Sequence, residues 1–303
     1  MSLRRIFLTD RGIRAGWRLL IWLAIVFGIE FVLYYAVQQP LHVSPTSTTP
    51  GNHSFLDPAW SLVVQASDLI SVLVASLILA RIEHASLSDY YIPTRNIFGR
   101  QLWVGSLWGL LAVSLLIGLI AVFHGYRIIG LAIHGRPLVH AVFWWLIQAF
   151  AIGFSEEFLF RSYLLRTLAD GIRFWPAAVL IAISFGSLHY FFKSYERWED
   201  FACTALFSLF CCLTIRRTGS LKFAIGFHAA FDWGAIFLFS GKNGGEFAPG
   251  HLLQTSWTGP DWLTGGMLGP EASWFVFLVI ALVFLLFPRF YPSSSSNPTP
   301  QSP

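Results

Sequence analysis

The stretch GFSEEFLFRSYLL, residues 153–165, places ionisable side chains inside a long apolar part of the chain. On a helix, Glu157 and Arg161 are four positions apart and share a face, so they can form an ion pair. Glu156 is five positions from Arg161 and points away from it, so its carboxyl group needs a partner on another helix. Ionisable residues within membrane spans are candidates for function, but a structural ion pair or a solvated helix end also fits these three residues.

Two further groups of polar residues occur on separate apolar segments. SFGSLHY places His189 four residues after Phe185, and GFHAAFDW places His228 and Asp232 one helical turn apart. A carboxylate and a neutral imidazole that face one water molecule can remove its proton, and a second imidazole can orient or stabilise an oxyanion. If these side chains meet Glu156 in one cavity, they can form a hydrolytic centre. The alternative is that each histidine is a hydrogen-bonding partner between helices.

The elements that must position these residues are transmembrane helices. The chain is 55% hydrophobic and 12% charged, with a mean hydropathy of +0.61, whereas a soluble domain carries about 25% charged residues. Continuous apolar runs of roughly 20 residues predict an all-α transmembrane bundle of about eight helices and argue against a barrel. The eight predicted spans are 17–37, 60–80, 101–123, 138–160, 174–192, 200–215, 221–240 and 272–288.

The spans divide the chain into four predicted regions without an internal repeat. These are N-terminal helices with loops (1–137), a helix core with the candidate catalytic residues (138–240), a loop with the last helix (241–288) and a disordered tail (289–303). Arginines before and within the first span predict a cytoplasmic N-terminus, and eight crossings return the C-terminus to that side. We therefore predict a multi-pass protein of the plasma or inner membrane. The net charge of +4 comes from such flanks and does not indicate nucleic-acid binding.

Two features outside the motifs receive no chemical role. Residues 40–58 are rich in Pro, Ser and Thr and predict an external loop, with a glycosylation triplet at Asn52 of a kind that arises often by chance. Cys203, Cys211 and Cys212 lack zinc-ribbon spacing and are interpreted as packing residues.

The three motifs, in this order on apolar segments, resemble those of the CAAX-protease and bacteriocin-processing (CPBP, or Abi) family of intramembrane proteases, which includes the type II CAAX prenyl endopeptidases. The motifs are E-E-x-x-x-R, F-x-x-x-H and H-x-x-x-D, and the resemblance covers roughly residues 140–236. It implies an endopeptidase in which Glu156 and His189 activate water, while His228 and Asp232 line the oxyanion side. The site-supporting residues that it implies are Glu157, Arg161 and Phe185.

One position departs from the family's pattern. The last motif position is often Asn in the CAAX endopeptidases, whereas here it is Asp232. An ionised Asp beside an oxyanion repels it, so Asp232 is expected to be protonated or turned toward His228 to fix the tautomer of that ring. The set Glu156, His189, His228 and Asp232 is also compatible with zinc. Because no compact H-E-x-x-H occurs, the preferred interpretation requires no cofactor.

The predicted topology contains a conflict of depth. If the fourth span ends near residue 155, Glu156 lies at the inner surface, whereas His189 lies near the outer end of the fifth span. The catalytic interpretation requires the fourth helix to continue to about residue 168, or the fifth helix to shift in depth.

The sequence leaves the substrate and two other classes of function open. The resemblance implies a peptide or protein substrate in or at the lipid bilayer, prenylated in a eukaryotic host and of another membrane-associated kind in a prokaryote. A transporter is the first alternative and can use Glu30 and Asp68 as well, although the sequence has no paired halves with broken helices. A non-catalytic scaffold that binds membrane partners is the second.

Overall fold

The computed structural model describes residues 7–9, 12–42, 58–192 and 197–292, and this part of the chain is mostly helical. Two short π-helices, Tyr34–Gln38 and Trp233–Leu238, directly follow the α-helices that end at Leu33 and Asp232. In chain order the helices are α1 (Ala15–Leu33), α2 (Pro58–Ile82), α3 (Arg100–Val122), α4 (Gly135–Arg161), α5 (Tyr163–Ile172), α6 (Phe174–Phe192), α7 (Trp198–Thr218), α8 (Lys222–Asp232), α9 (Asp261–Thr264) and α10 (Phe275–Phe290).

Helices occupy all eight predicted spans, which confirms the all-α transmembrane bundle. Among the described residues, six helical segments are long and apolar enough to cross a membrane when α4 and α5 are counted as one segment, and α10 is a shorter apolar helix. The predicted sixth span was too short, because α7 runs from Trp198 to Thr218. The chain is therefore an integral membrane protein, whereas its orientation stays a prediction.

The fourth span continues past Arg161 through a break rather than as one straight helix. Ser162 has φ −94° and ψ −110°, which lies outside the helical region, and α5 begins at the next residue. The Ser162 hydroxyl donates to the carbonyl oxygen of Phe158, which gives the end of α4 a side-chain partner. Because the apolar segment extends to Ile172, Glu156 lies inside the bundle rather than at the end of a span.

Glycines bring the backbones of α3 and α8 together. A Cβ atom at Gly105 would collide with the carbonyl oxygen of Phe223, and one at Gly109 would collide with that of Phe227. From the other side, Gly226 of α8 packs against α3 in the same way. Lipid chains are as apolar as the helices, so association within a membrane depends on such close packing of small residues. The crossing fixes the position of α8 in the bundle.

Small antiparallel sheets, which the sequence did not predict, lie outside the helices. The pairs are β1 (Leu8–Thr9) with β2 (Gly12–Ile13), β3 (Tyr126–Leu131) with β6 (Leu253–Trp257), and β4 (Lys242–Asn243) with β5 (Glu246–Phe247). Residues 239–272, predicted as a plain loop from residue 241 onward, contain three of these strands, and we call this segment the cap. The cap is tied to the helices by the indole N–H of Trp145, which donates to the carbonyl oxygen of Pro249 over 3.0 Å.

Several sequence predictions fall on residues that the structure does not describe. Asn52 and most of the predicted external loop at 40–58 lie outside the described residues, as do residues 293–303 of the predicted tail. The described helix α10 ends at Phe290, two residues beyond the predicted end of the last span at residue 288.

Replacing Gly105 by alanine tests the close crossing of α3 and α8. We expect Gly105→Ala to lower the free energy of unfolding by about 1–3 kcal/mol, because the added methyl group must displace a backbone carbonyl. Gly118→Ala, on the same helix, is the matched control, since nothing lies within 4 Å of a Cβ atom at Gly118. Unfolding of the purified protein in detergent measures both variants. Equal stability of the two would contradict the packing described here.

Candidate active site

Side chains from α4, α6, α7, α8 and the cap line one cavity of about 120 Å³. All four predicted catalytic residues line this cavity, so the predicted conflict of depth between Glu156 and His189 does not arise. Its polar lining residues are Glu156, His189, Thr204, His228, Asp232, Asn243 and Glu271. Its apolar walls include Ile152, Phe185, Phe207, Phe231 and Ile236.

A fully buried ion pair lies within α4. Arg161 Nη1 donates to Glu157 Oε1 over 2.7 Å, and both side chains are 0% exposed. This is the pair that the four-residue spacing predicted. The guanidinium carbon of Arg161 also lies 4.4 Å from the centroid of the Phe185 ring, so the buried cation has an aromatic face as a second neighbour.

Glu157 also orients His228. His228 Nδ1 lies 2.9 Å from Glu157 Oε1. Because this carboxylate is paired with Arg161 and acts as the acceptor, Nδ1 of His228 carries the hydrogen. The other ring nitrogen, Nε2, lies 3.5 Å from Asp232 Oδ2 and 3.7 Å from Glu156 Oε2. Asp232 is turned toward His228, as expected, but the structure assigns the fixing of the ring to Glu157 rather than to Asp232.

His189 is oriented by its own helix. Its Nδ1 lies 3.0 Å from the carbonyl oxygen of Phe185, one turn earlier. A carbonyl oxygen can only accept, so Nδ1 carries the hydrogen and Nε2 of the neutral ring is a proton acceptor. The Phe185 ring lies 4.5 Å from the His189 ring and 6.4 Å from the His228 ring, measured between centroids. Phe185 is therefore a neighbour of both histidine rings.

Small residues let the helices that carry the motifs approach one another. A Cβ atom at Gly153 of α4 would lie 3.0 Å from the carbonyl oxygen of Ile225 on α8. One at Gly186 of α6 would lie 2.8 Å from the carbonyl oxygen of Phe201 on α7. A π-helix follows Asp232 directly, and such segments are frequent at functional sites. The backbone thus brings residues of three motifs within reach of one cavity.

The two consecutive glutamates of α4 have different environments. The side chain of Glu156 is 25% exposed, whereas that of Glu157 is 0% exposed. Asp232 is 17% exposed and His228 is 7% exposed. Glu156 is therefore the glutamate that a molecule in the cavity can reach, and Glu157 is enclosed by protein.

The side-chain positions also bear on the zinc alternative. A zinc site needs three or four protein ligands that converge on one point at about 2 Å. Within the residues that the structure describes, no group of three His, Cys, Asp or Glu side chains has that arrangement. The zinc ligand set predicted from the sequence stays a prediction, as does the metal-free alternative.

The acids considered for a transporter lie on α1 and α2. Glu30 Oε1 on α1 accepts a hydrogen bond from Ser71 Oγ on α2. Asp68 interacts electrostatically with Glu30 and Glu156. Glu30 therefore joins two helices, and nothing in these contacts favours transport.

The three cysteines are buried and form no disulfide, as expected of packing residues. Cys203 in addition lines the cavity, as does the next residue, Thr204.

Sequence reasoning missed three polar residues of the cavity and one contact within the site. Thr204 donates to the carbonyl oxygen of Asp200 on its own helix, a local pattern common in apolar helices that gives no functional signal. Asn243 and Glu271 lie in the cap, where the sequence predicted a loop. The contact of Glu157 with His228 joins residues 71 positions apart, and the spacing within each motif carries no information about it.

Residues 137–234 match the sequence model of a protein family described as Type II CAAX prenyl endopeptidase Rce1-like. The matched segment runs from α4 into the π-helix after α8, so it contains all three motifs and ends before the cap. No curated protein matches the chain.

Removing the Glu157 carboxylate tests the buried ion pair. We expect Glu157→Ala to destabilise the protein by about 3–5 kcal/mol, because Arg161 remains buried without its partner. The exposed pair of Arg166 and Asp170 has the same four-residue spacing, and Arg166→Ala is expected to cost less than about 1 kcal/mol. In the double variant Glu157→Ala/Arg161→Met, part of the loss should be recovered since the unpaired charge is gone. Unfolding in detergent measures all three, and a double variant no more stable than Glu157→Ala argues against this account.

Proposed function

On the premise that residues 137–234 match the family model of the type II CAAX prenyl endopeptidases, we propose that the cavity is the active site of an intramembrane endopeptidase that cuts a peptide bond of a membrane-associated substrate. The family and the apolar helices together identify an integral membrane protease. The observation that carries the finer proposal is the convergence of Glu156, His189, His228 and Asp232 on one cavity.

Glu156 and His189 activate the attacking water in this proposal. Glu156 is the more exposed of the two motif glutamates, so water and substrate can reach its carboxylate. The hydrogen bond of His189 Nδ1 to the Phe185 carbonyl leaves Nε2 as the acceptor of the ring. A water molecule between a carboxylate and a neutral imidazole can transfer its proton while its oxygen attacks the peptide carbonyl carbon. Base catalysis of this kind contributes about 10²- to 10⁴-fold.

His228 and Asp232 form the oxyanion side. The attack makes a tetrahedral intermediate whose oxygen carries negative charge, and this oxygen needs hydrogen-bond donors. His228 Nε2 and Asp232 Oδ2 lie 3.5 Å apart, and a proton carried by either atom and directed at the oxyanion supplies such a donor. Glu157 holds the opposite ring nitrogen at 2.9 Å and keeps Nε2 directed toward Asp232 and Glu156.

Collapse of the intermediate completes the reaction. The carbon–nitrogen bond breaks as the carbonyl re-forms, and the proton taken from water passes to the leaving amine. One water is consumed, and the products are a carboxylic acid and an amine. Glu156 and His189 thereby return to their starting protonation states.

The walls of the cavity support an apolar, membrane-associated substrate. Phe185, Phe207 and Phe231 present aromatic surface on three helices around the polar groups. A peptide that reaches the site from the bilayer can place apolar side chains, or a prenyl chain, against these rings. We propose a peptide of this kind as substrate, with a prenylated CAAX-type peptide as the first to be tested.

Substitution of the water-activating pair tests the proposed function. We expect Glu156→Gln and His189→Ala each to lower kcat by about 10²- to 10⁴-fold while the protein stays folded. Glu246→Gln and His251→Ala are matched controls: Glu246 is an exposed carboxylate of the cap, and His251 makes a ring-to-carbonyl hydrogen bond like that of His189. Cleavage of a fluorogenic prenylated peptide in proteoliposomes is the measurement.

Two outcomes of that assay would change the proposal. Cleavage that survives both Glu156→Gln and His189→Ala rejects this pair as the water-activating groups. Activity that is removed by chelation and restored by zinc supports the zinc alternative instead of the metal-free reaction.

Asp232 can be tested against the residue that the family often carries. We expect Asp232→Asn to stay within about tenfold of the wild-type rate, because the amide N–H can donate to the oxyanion without a negative charge. Asp232→Ala removes the donor and should cost about 10²- to 10³-fold in kcat. A wild-type rate for Asp232→Ala contradicts a role on the oxyanion side.

A further inference from the structure

The cavity wall is not complete within the family-matched segment. That segment ends at residue 234, whereas Asn243 and Glu271 also line the cavity and come from the cap. The helices therefore supply the groups proposed for catalysis, and the cap supplies two polar side chains that face the same space.

Backbone contacts hold these two side chains in place. Asn243 belongs to the β4–β5 hairpin, where it pairs with Glu246. The hairpin contacts the loop segment before Glu271, because the Gly245 N–H donates to the carbonyl oxygen of Met267 over 2.6 Å. Gly269, at φ +100°, lies against Lys242 so closely that a Cβ atom there would collide with the Lys242 carbonyl oxygen. Asn243 and Glu271 thus sit on two segments that are packed together.

Acidic side chains predominate at the cavity, where the two histidines are the only basic lining residues. Among its lining residues, Glu156, Asp232 and Glu271 carry carboxyl groups, and none is Lys or Arg. The nearest cation of the hairpin, Lys242, has its ammonium group 5.8 Å from the centre of the Phe247 ring. Clefts lined by one sign of charge with apolar walls concentrate ligands of the opposite sign.

The two cap residues match different parts of an extended peptide. The carboxamide of Asn243 can both donate and accept, which suits the N–H and C=O groups of a peptide backbone. The carboxylate of Glu271 can only accept when ionised, which suits a backbone N–H or the cation of a Lys or Arg side chain.

We infer that Asn243 and Glu271 form a substrate-positioning wall that selects peptides with a basic side chain near the scissile bond over peptides with an acidic one. This inference rests on the proposed endopeptidase function, because it assigns the cavity to a peptide. Asn243 holds the backbone of any substrate, and Glu271 sets the preference for charge.

Matched peptides test the wall in the full-length protein. Three prenylated peptides that differ only in Lys, Gln or Glu beside the scissile bond are compared in proteoliposomes. We expect the wild type to prefer Lys over Glu through KM, and Glu271→Gln to reduce this preference about two- to fivefold, the size of one partly exposed charge pair. Glu271→Lys should reverse the order. Asn243→Ala should raise KM for all three peptides alike, and Glu246→Gln should change nothing.

Binding separates this inference from the proposed function. The same peptides are titrated into Glu156→Gln and Glu156→Gln/Glu271→Gln, with fluorescence anisotropy as the readout. Preferential binding of the Lys peptide that is lost in the double variant supports the wall even if the wild type cleaves nothing, in which case only the endopeptidase assignment fails. The inference is overturned by equal binding of all three peptides, by no binding at all, or by an order of peptide preference that Glu271→Lys leaves unchanged.

Discussion

The arrangement of the site depends on the buried ion pair between Glu157 and Arg161. A guanidinium with 0% exposure is tolerated inside an apolar bundle only because a carboxylate one turn away neutralises it. The same carboxylate oxygen then orients His228 from a second helix. Consecutive residues on a helix differ in direction by about 100°, so the glutamate before Glu157 must point elsewhere. Glu156 is thereby directed to the cavity, and two identical side chains acquire different tasks.

Close backbone packing makes this electrostatic arrangement possible. Hydrogen bonds between helices require side-chain atoms within about 3 Å, and large apolar residues at the crossings would hold the helices too far apart. Gly153 lets α4 approach α8, while Gly105 and Gly109 let α3 support α8 from another side. In a membrane, where apolar burial between helices brings little gain, these glycines are as necessary to the site as its charged residues.

Local patterns predicted the spans and the motif residues, because hydropathy and helical spacing are properties of short stretches of sequence. The pairing of Glu157 with Arg161 follows from a spacing of four, and the structure contains it. Contacts between helices were not predictable in this way: the role of Glu157 toward His228 depends on how two helices pack. The break at Ser162 has no Pro or Gly to signal it, and strands of two residues, as at Lys242–Asn243, carry no alternation that a pattern could detect.

The helices and the cap, which both line the cavity, differ in how strongly their packing restricts amino-acid substitutions. A change in the helix core disturbs groups that are fully enclosed, such as Arg161, and each loss leaves another buried group without its partner. Asn243 and Glu271 are partly exposed and belong to a segment outside the family match, so changes there leave the buried network intact. If the proposed reaction takes place beside this buried network, changes in the partly exposed wall can alter the choice of substrate without altering the reaction.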